Sequence, residues 1–200
     1  SRAFLGTAEK VGASGTALGW QAQHIALREG HRLLGLLPLY LRSHSFGDFS
    51  RDWNWASAWQ RAGLDYYPKL VSGIPYTPSP GPRLLVRSGI PRETVATALV
   101  EAALEVARQS SASSWQCLFV EEADRALLAA AGLLLRRGVQ FHWFNRAYRD
   151  FDDFLAAFTA DKRKKLKRER RAVAESGLRL ETRHGDEIDA GLWHVIHRQY

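Results

Sequence analysis

Apolar and polar positions change period along this chain in a way that separates strands from helices. "SRAFLGTAEK" opens it with helical spacing. "QAQHIALREGHRLLGLLPLYLR" alternates around a Glu-Gly-His turn and predicts a β-hairpin, Gln23 to Arg28 with Arg32 to Arg42. The second arm is nearly all apolar and is expected to be central. The chain leaves the sheet through Gly47, a short helix is predicted over Trp53 to Ala62, and "YPKLVSGI" reads as a strand. In "PYTPSPGPRLLV" four prolines and a glycine enforce an extended, stiff loop. Pro91 suits a helix start, and "RETVATALVEAALEVARQ" sets Val95, Leu99, Val100, Ala103, Leu104 and Val106 on one side. Strand "SWQCLFVEE", helix "ADRALLAAAG" closed by Gly132, and strand "RRGVQFHWFN" complete a β-α-β-α-β run. That alternation predicts an α/β sheet with partly parallel strands. Past Asn145, "FDDFLAAF" places Phe151, Phe154, Leu155 and Phe158 on one helical face. A basic helix runs on to Gly177, "LRLETR" is a strand and "DEIDAGLWHVIHRQY" a helix. This last β-α pair starts a second unit, so the expected domains are residues 1–148 and 149–200.

Composition narrows the class. With 46% hydrophobic and 24% charged residues in 200, the chain has the makeup of a soluble globular protein. Its longest apolar runs, "LLGLLPLYL" and "ALLAAAGLLL", fall short of the roughly 20 residues of a membrane span, so no transmembrane segment is expected. Cys117 is the one cysteine, which excludes a disulfide framework and a Cys-based zinc site and fits a reducing, cytoplasmic location. The chain lacks methionine even at position 1, and helical spacing of Leu192, Trp193, Ile196 and Tyr200 runs to its end. An excised piece with an artificial C-terminal boundary is expected.

Charge is concentrated in one place. Asp161 to Arg171, "DKRKKLKRERR", holds eight basic and two acidic residues, leaving 20 basic against 19 acidic elsewhere. At 100° per residue Leu166 and Val173 lie within about 20° of each other, and the basic residues fill most of the remaining circumference. Lys162 to Lys165 occupy the first turns, where the helix dipole favours anions, so the helix needs a negative partner or nearby carboxylates. Two readings stand: a solvated charged helix, or an anion grip by Lys162, Arg163, Lys164, Lys165, Lys167 and Arg168. The phosphates would come from a nucleotide-linked substrate, coenzyme A or tRNA.

Candidate chemistry lies around the aromatic stretch "DWNWASAWQRAGLDYYPKL". Trp53, Trp55, Tyr66 and Tyr67 read as core first and as the wall of a substrate groove second, with the Pro-Gly loop as its rim. Asp52, flanked by Asp48, is a candidate base or amine-orienting carboxylate; it also fits as the N-cap of the helix from Trp53. Lys69 and Arg83 stand beside proline-rich turns, where they would grip a carboxylate or phosphate or form surface ion pairs. His142 alternates with Phe141 and Trp143 on a predicted strand and is the second catalytic candidate against a structural role. Thr77 and Asn145 complete the substrate-binding set. His194 and His197 are three apart on a helix without converging acids, so no metal site is expected.

In order along the chain, "GDFSRDWNWASAW", "YYPKL", "PYTPSPGPRLL", "QFHWFN", "FDDFLAAF" and "KRKKLKRER" resemble the bacterial family labelled peptidoglycan biosynthesis or recognition proteins. These are relatives of the Fem-type aminoacyltransferases in the GNAT-fold superfamily. The resemblance runs from about Phe4 to the last residue. It implies a GNAT-like α/β fold, a mixed sheet flanked by helices, as the first unit of a double architecture whose second unit is truncated. It also implies acyl or aminoacyl transfer to an amine acceptor in peptidoglycan precursor metabolism. Alternatives are a non-catalytic precursor-binding domain and a tRNA- or RNA-docking module. The donor is open between acyl-coenzyme A and aminoacyl-tRNA, and the expected partner is an anionic or nucleotide-linked substrate, with tRNA as a further candidate. "VRSGIPRE" holds only one glycine and loses an amide at Pro91, so it departs from the superfamily's pyrophosphate-binding turn and shifts the expectation away from acetyl-coenzyme A.

Overall fold

The structure, a computed structural model, describes residues 2–49 and 52–199. Ser1 and Tyr200 of the expected terminal helices, and Ser50 and Arg51 of the aromatic motif, lie outside the described residues. The chain divides into two compact units, Ser1–Arg137 and Gly138–Tyr200. No helix among the described residues is long and apolar enough to cross a membrane.

The first unit is mixed α/β. Helix α1 (Arg2–Lys10) is followed by strands β1 (Trp20–Ala22), β2 (Ile25–Glu29), β3 (Arg32–Leu37) and β4 (Tyr40–Arg42). The predicted long second arm of the hairpin is therefore two strands. Pro38 has no N–H to give a ladder, and the chain changes sheet there. β1 and β2 break at the matching place, where Gln23 N–H donates to the Leu39 carbonyl and Leu39 N–H to His24 Nδ1. After helix α2 (Trp53–Arg61) come β5 (Lys69–Ser72), β6 (Leu85–Val86), helix α3 (Arg92–Gln109), β7 (Trp115–Cys117) and helix α4 (Glu122–Ala130).

Hydrogen bonding sorts the strands into a four-stranded sheet, β1-β4-β5-β7, and a three-stranded one, β2-β3-β6. The expected parallel pairing appears between β5 and β7, joined across α3; every other pair is antiparallel. α3 supplies the core. Its Val95, Ala96, Leu99, Val100 and Ala103 are buried at helical spacing against Leu37, Leu39, Leu70, Leu84 and Leu128. Gly35 sets how close helix and sheet come, because a Cβ there would lie 2.5 Å from Val95 Cγ1 and 3.1 Å from Leu99 Cδ1.

The second unit contains helices α5 (Phe151–Ala156), α6 (Ala160–Glu175) and α7 (Ala190–Gln199). Two strand expectations fail here. "RRGVQFHWFN" and "LRLETR" have apolar alternation but no pairing strand among the described residues, and both stretches are irregular, with Phe141 94% and Leu180 79% exposed. A strand is defined by its ladder, and alternation alone supplies none.

Candidate functional site

Strand geometry assembles the site of the first unit. Register pairs Arg42 with Lys69, Tyr40 with Val71, and Val71 with Gln116, so alternation puts Tyr40, Arg42, Lys69 and Gln116 on one sheet face. Two neighbouring cations inside a protein need counter-charges, and the segment after β4 delivers them. Asp48 accepts from Arg42 Nη2 at 2.8 Å, and Asp52 pairs with Lys69 Nζ. Side-chain exposures of 0% and 8% for the first pair and 0% and 1% for the second mark both as interior ion pairs.

Further bonds fix the geometry. Asp52 Oδ2 also accepts from the Tyr66 hydroxyl at 3.0 Å and from Ser45 Oγ at 3.2 Å. Gln116 ties in from β7, donating from Nε2 to the Tyr66 hydroxyl at 3.0 Å and accepting from Lys69 Nζ at 3.2 Å. Arg42 Nη1 donates to the Leu18 carbonyl at 3.1 Å, and its guanidinium lies 3.7 Å over the Trp20 ring. Buried polar atoms without a hydrogen-bond partner among the described residues include Asp52 Oδ1, Arg42 Nε, Trp20 Nε1 and the Tyr67 hydroxyl.

Electrostatics follow from these contacts. Burial alone would raise the Asp52 carboxyl, but the hydrogen bond and charge of Lys69, with the Tyr66 and Ser45 hydroxyls, hold it below the ordinary carboxylate range. Burial pulls the Lys69 ammonium down against the opposing pull of Asp52. Burial pushes the Tyr66 phenol up to about 12 and also raises Tyr67. At neutral pH the site therefore holds the Asp52 carboxylate and intact phenols, with the carboxylate's charge favouring the protonated form of Lys69. A carboxylate so stabilised is a weak base and a firm orienting group.

The sequence-predicted residues distribute unevenly. Asp52, Tyr66 and Lys69 meet in this network, and the Tyr67 ring lies 5.0 Å from that of Tyr66. Asp52 sits at the N-cap position of α2, yet its side chain makes no capping bond because Lys69 and Tyr66 hold it inward. Lys69 is buried in β5, and a surface ion pair is ruled out for it. Arg83 is likewise buried, 3% exposed, and donates to the carbonyls of Leu118 at 2.9 Å, Ser79 at 2.6 Å and Phe119 at 3.3 Å. It pins the proline-rich loop to the chain after β7. Thr77, in that loop, donates to the Pro75 carbonyl at 3.1 Å.

Trp53 and Trp55 are not core. They are 46% and 51% exposed, because Ala56 and Trp59, three residues apart, make the inward seam of α2. Trp53 instead stacks tilted against exposed Phe46 at 5.1 Å. Trp55 carries the Arg136 guanidinium at 5.7 Å.

Sequence reading missed Arg42, Ser45 and Gln116 as site residues. The available signal was Arg42 itself, a charge ending a nearly all-apolar arm. At the start of α3, Arg92 spends its guanidinium on the Leu84 carbonyl and on Asp124. No group of three or more His, Cys, Asp or Glu among the described residues could hold a metal ion.

In the second unit His142 lies in an irregular stretch, not on a strand, bonded to Gln140 at 2.9 Å and stacked on Phe144. Asn145 lines a hollow there with Trp143, Tyr148 and Phe154. On α6, Lys162, Lys164, Lys165, Lys167 and Arg168 are exposed, while half-buried Arg163 donates to the Phe158 carbonyl at 3.4 Å. Lys167 pairs with Asp152 at 3.0 Å and Lys165 with Glu169 at 3.8 Å. Lys164, Arg168 and Arg171, at i, i+4 and i+7, have no ion-pair partner among the described residues.

Comparison with known proteins gives two findings. The fold is similar to a solved apo aminoglycoside antibiotic 6'-N-acetyltransferase from Acinetobacter haemolyticus, at 15% identity and a TM-score of 0.42 over 70% of this chain and 81% of that one. No curated protein sequence matches. The model of the FemAB-like family, described as peptidoglycan biosynthesis/recognition, matches residues 1–200, and the chain belongs to that family.

Proposed function

We propose that this protein transfers an acyl or aminoacyl group to an amine acceptor in peptidoglycan precursor metabolism, on a GNAT-like first unit followed by the start of a second. The carrying observation is Asp52: its Oδ2 is saturated by Lys69, Tyr66 and Ser45, while its buried Oδ1 has no partner among the described residues. Such a carboxylate has a preset direction and one vacant acceptor. Because Asp52 is fully buried, the segment that carries it must open to admit the acceptor; Oδ1 then accepts an N–H of the amine and aims the nitrogen lone pair at the activated carbonyl. The amine arrives neutral, since Asp52 itself is too weak a base to deprotonate an ammonium. Tyr66 and Lys69 position Asp52. Membership in a family described by peptidoglycan supports the acceptor class.

The test is a transfer assay with labelled acyl-coenzyme A and charged tRNA as donors and amine-bearing muropeptides as acceptors. Asp52→Asn, checked for folding by circular dichroism, is expected to lower kcat by about 100-fold or more. Full activity in a folded Asp52→Asn protein defeats the reading.

The cationic face of α6 favours a second element of the same function, docking the phosphates of a carrier. Replacing Lys164, Lys165, Lys167 and Arg168 with Gln is expected to weaken carrier binding and flatten its salt dependence by up to about four units of log–log slope. An unchanged slope shows that the helix does not dock phosphates.

A further inference from the structure

The second unit carries a hollow of about 380 Å³ lined by Trp143, Asn145, Tyr148, Asp150, Phe151 and Phe154. Three rings give it shape. Trp143 and Tyr148 stand nearly parallel, 26° apart with centroids separated by 6.4 Å. Phe154 meets them edge-on, at 75° and 80°. Trp143 is 65% exposed, so an indole face remains open to a ligand.

The polar groups at the edge are half-committed. Asn145 Oδ1 accepts from Ala147 N–H at 3.0 Å, and its Nδ2 has no partner among the described residues. Asp150 Oδ1 caps α5 by accepting from Asp153 N–H at 2.8 Å, and its Oδ2 likewise has none. One amide donor and one carboxylate acceptor therefore line the hollow beside the rings. That combination suits a ring with C–H faces and hydroxyl edges.

An organic ammonium is the competing ligand, since aromatic rings beside a carboxylate also bind cations. The surrounding charge gives it no net attraction. The Arg170 guanidinium already lies 4.1 Å over Phe151, Lys167 pairs with Asp152 at 3.0 Å, and Arg149 pairs with Asp153 at 3.2 Å. With Lys167 and Arg149 matched by carboxylates and a guanidinium already on Phe151, the charges around the hollow balance, and a neutral ring needs no counter-charge there.

We infer that this hollow is a carbohydrate subsite: one pyranose of a glycan stacks on Trp143, and its edge bonds to Asn145 Nδ2 and Asp150 Oδ2. The kind of sugar, an N-acetylated hexosamine, rests on the peptidoglycan reading above; the stacking geometry does not.

Calorimetric titration of the whole chain with tri-N-acetylglucosamine, maltotriose and tetramethylammonium tests it. The amino-sugar trisaccharide is expected to bind at one site. Trp143→Ala should weaken it about 10-fold or more, and Asn145→Ala more mildly, with the circular dichroism of both variants unchanged. Absence of binding by either sugar, equal affinity in Trp143→Ala, or displacement by tetramethylammonium overturns the subsite, and preference for maltotriose overturns the N-acetylated hexosamine. The two proposals fail separately. Transfer to a sugar-free amine without sugar binding sinks the subsite alone, and sugar binding without any transfer sinks the transferase reading alone.

Discussion

Lys69→Met is expected to lower the unfolding free energy by about 3–5 kcal/mol. Its ammonium is fully buried against Asp52, and methionine keeps most of the side-chain length while removing the charge, so Asp52 is left ionised in the interior with only hydroxyl donors. Urea denaturation at neutral pH measures the loss. The double variant Asp52→Leu/Lys69→Met should regain most of it, because it removes both charges and their desolvation together.

The pH dependence has a definite sign. The folded Asp52 carboxyl lies below its unfolded value of about 3.9, so its stabilisation is present above that value and is lost as pH falls toward the folded one. Wild type should therefore lose stability on acidification below pH ~4, and the gap to Lys69→Met should close there as Asp52 becomes protonated in both. A single variant as stable as wild type at pH 7 would show that the ion pair is not an interior one. Transfer activity should fall in Lys69→Met even at temperatures where the variant is folded, since Asp52 then loses its fixed direction.

Asp124→Ala is expected to cost about 2–5 kcal/mol. The Asp124 carboxylate is fully buried, accepts backbone N–H groups from Arg83 at 2.5 Å and Leu84 at 3.2 Å, and pairs with Arg92. Alanine orphans two interior N–H groups, each carrying its own desolvation cost, and frees the stretch that Arg83 pins to the carbonyls of Ser79, Leu118 and Phe119. Asp124→Asn, which keeps an acceptor but not the charge opposite Arg92, should lose less. Thermal unfolding of the pair checks the order. Equal losses for Ala and Asn would place the effect on the Arg92 ion pair, and no loss in either would show that the loop does not depend on this carboxylate.

Legibility in the sequence differs sharply between elements. α3 was legible nearly residue by residue, since Val95, Leu99, Val100 and Ala103 repeat at helical spacing and Pro91 marks the start. The hairpin was legible through its alternation, but not its break at Pro38, where one arm divides between two sheets. Asp52, Tyr66 and Lys69 were each legible as candidates from their residue types. Their meeting was not, because a strand reading of "YPKLVSGI" does not say that Lys69 points inward to Asp52.

The apolar spacing, the single cysteine and the cluster of charge in α6 are properties of the chain in order, and the amino-acid sequence by itself determined from them the mixed α/β class, the major helices and the cationic helix. The family followed from motifs in order along the chain. Tertiary structure alone decided which polar groups lie inside and beside one another. Register places Arg42 against Lys69 across two strands separated by α2, and the chain between them returns Asp48 and Asp52 as counter-ions. It also decided that Trp53 and Trp55 remain at the surface and that "QFHWFN" does not pair. The physical reason is common to all of these. Burial and pairing are relations between distant segments, and a local pattern carries the preference of a residue without carrying its partner.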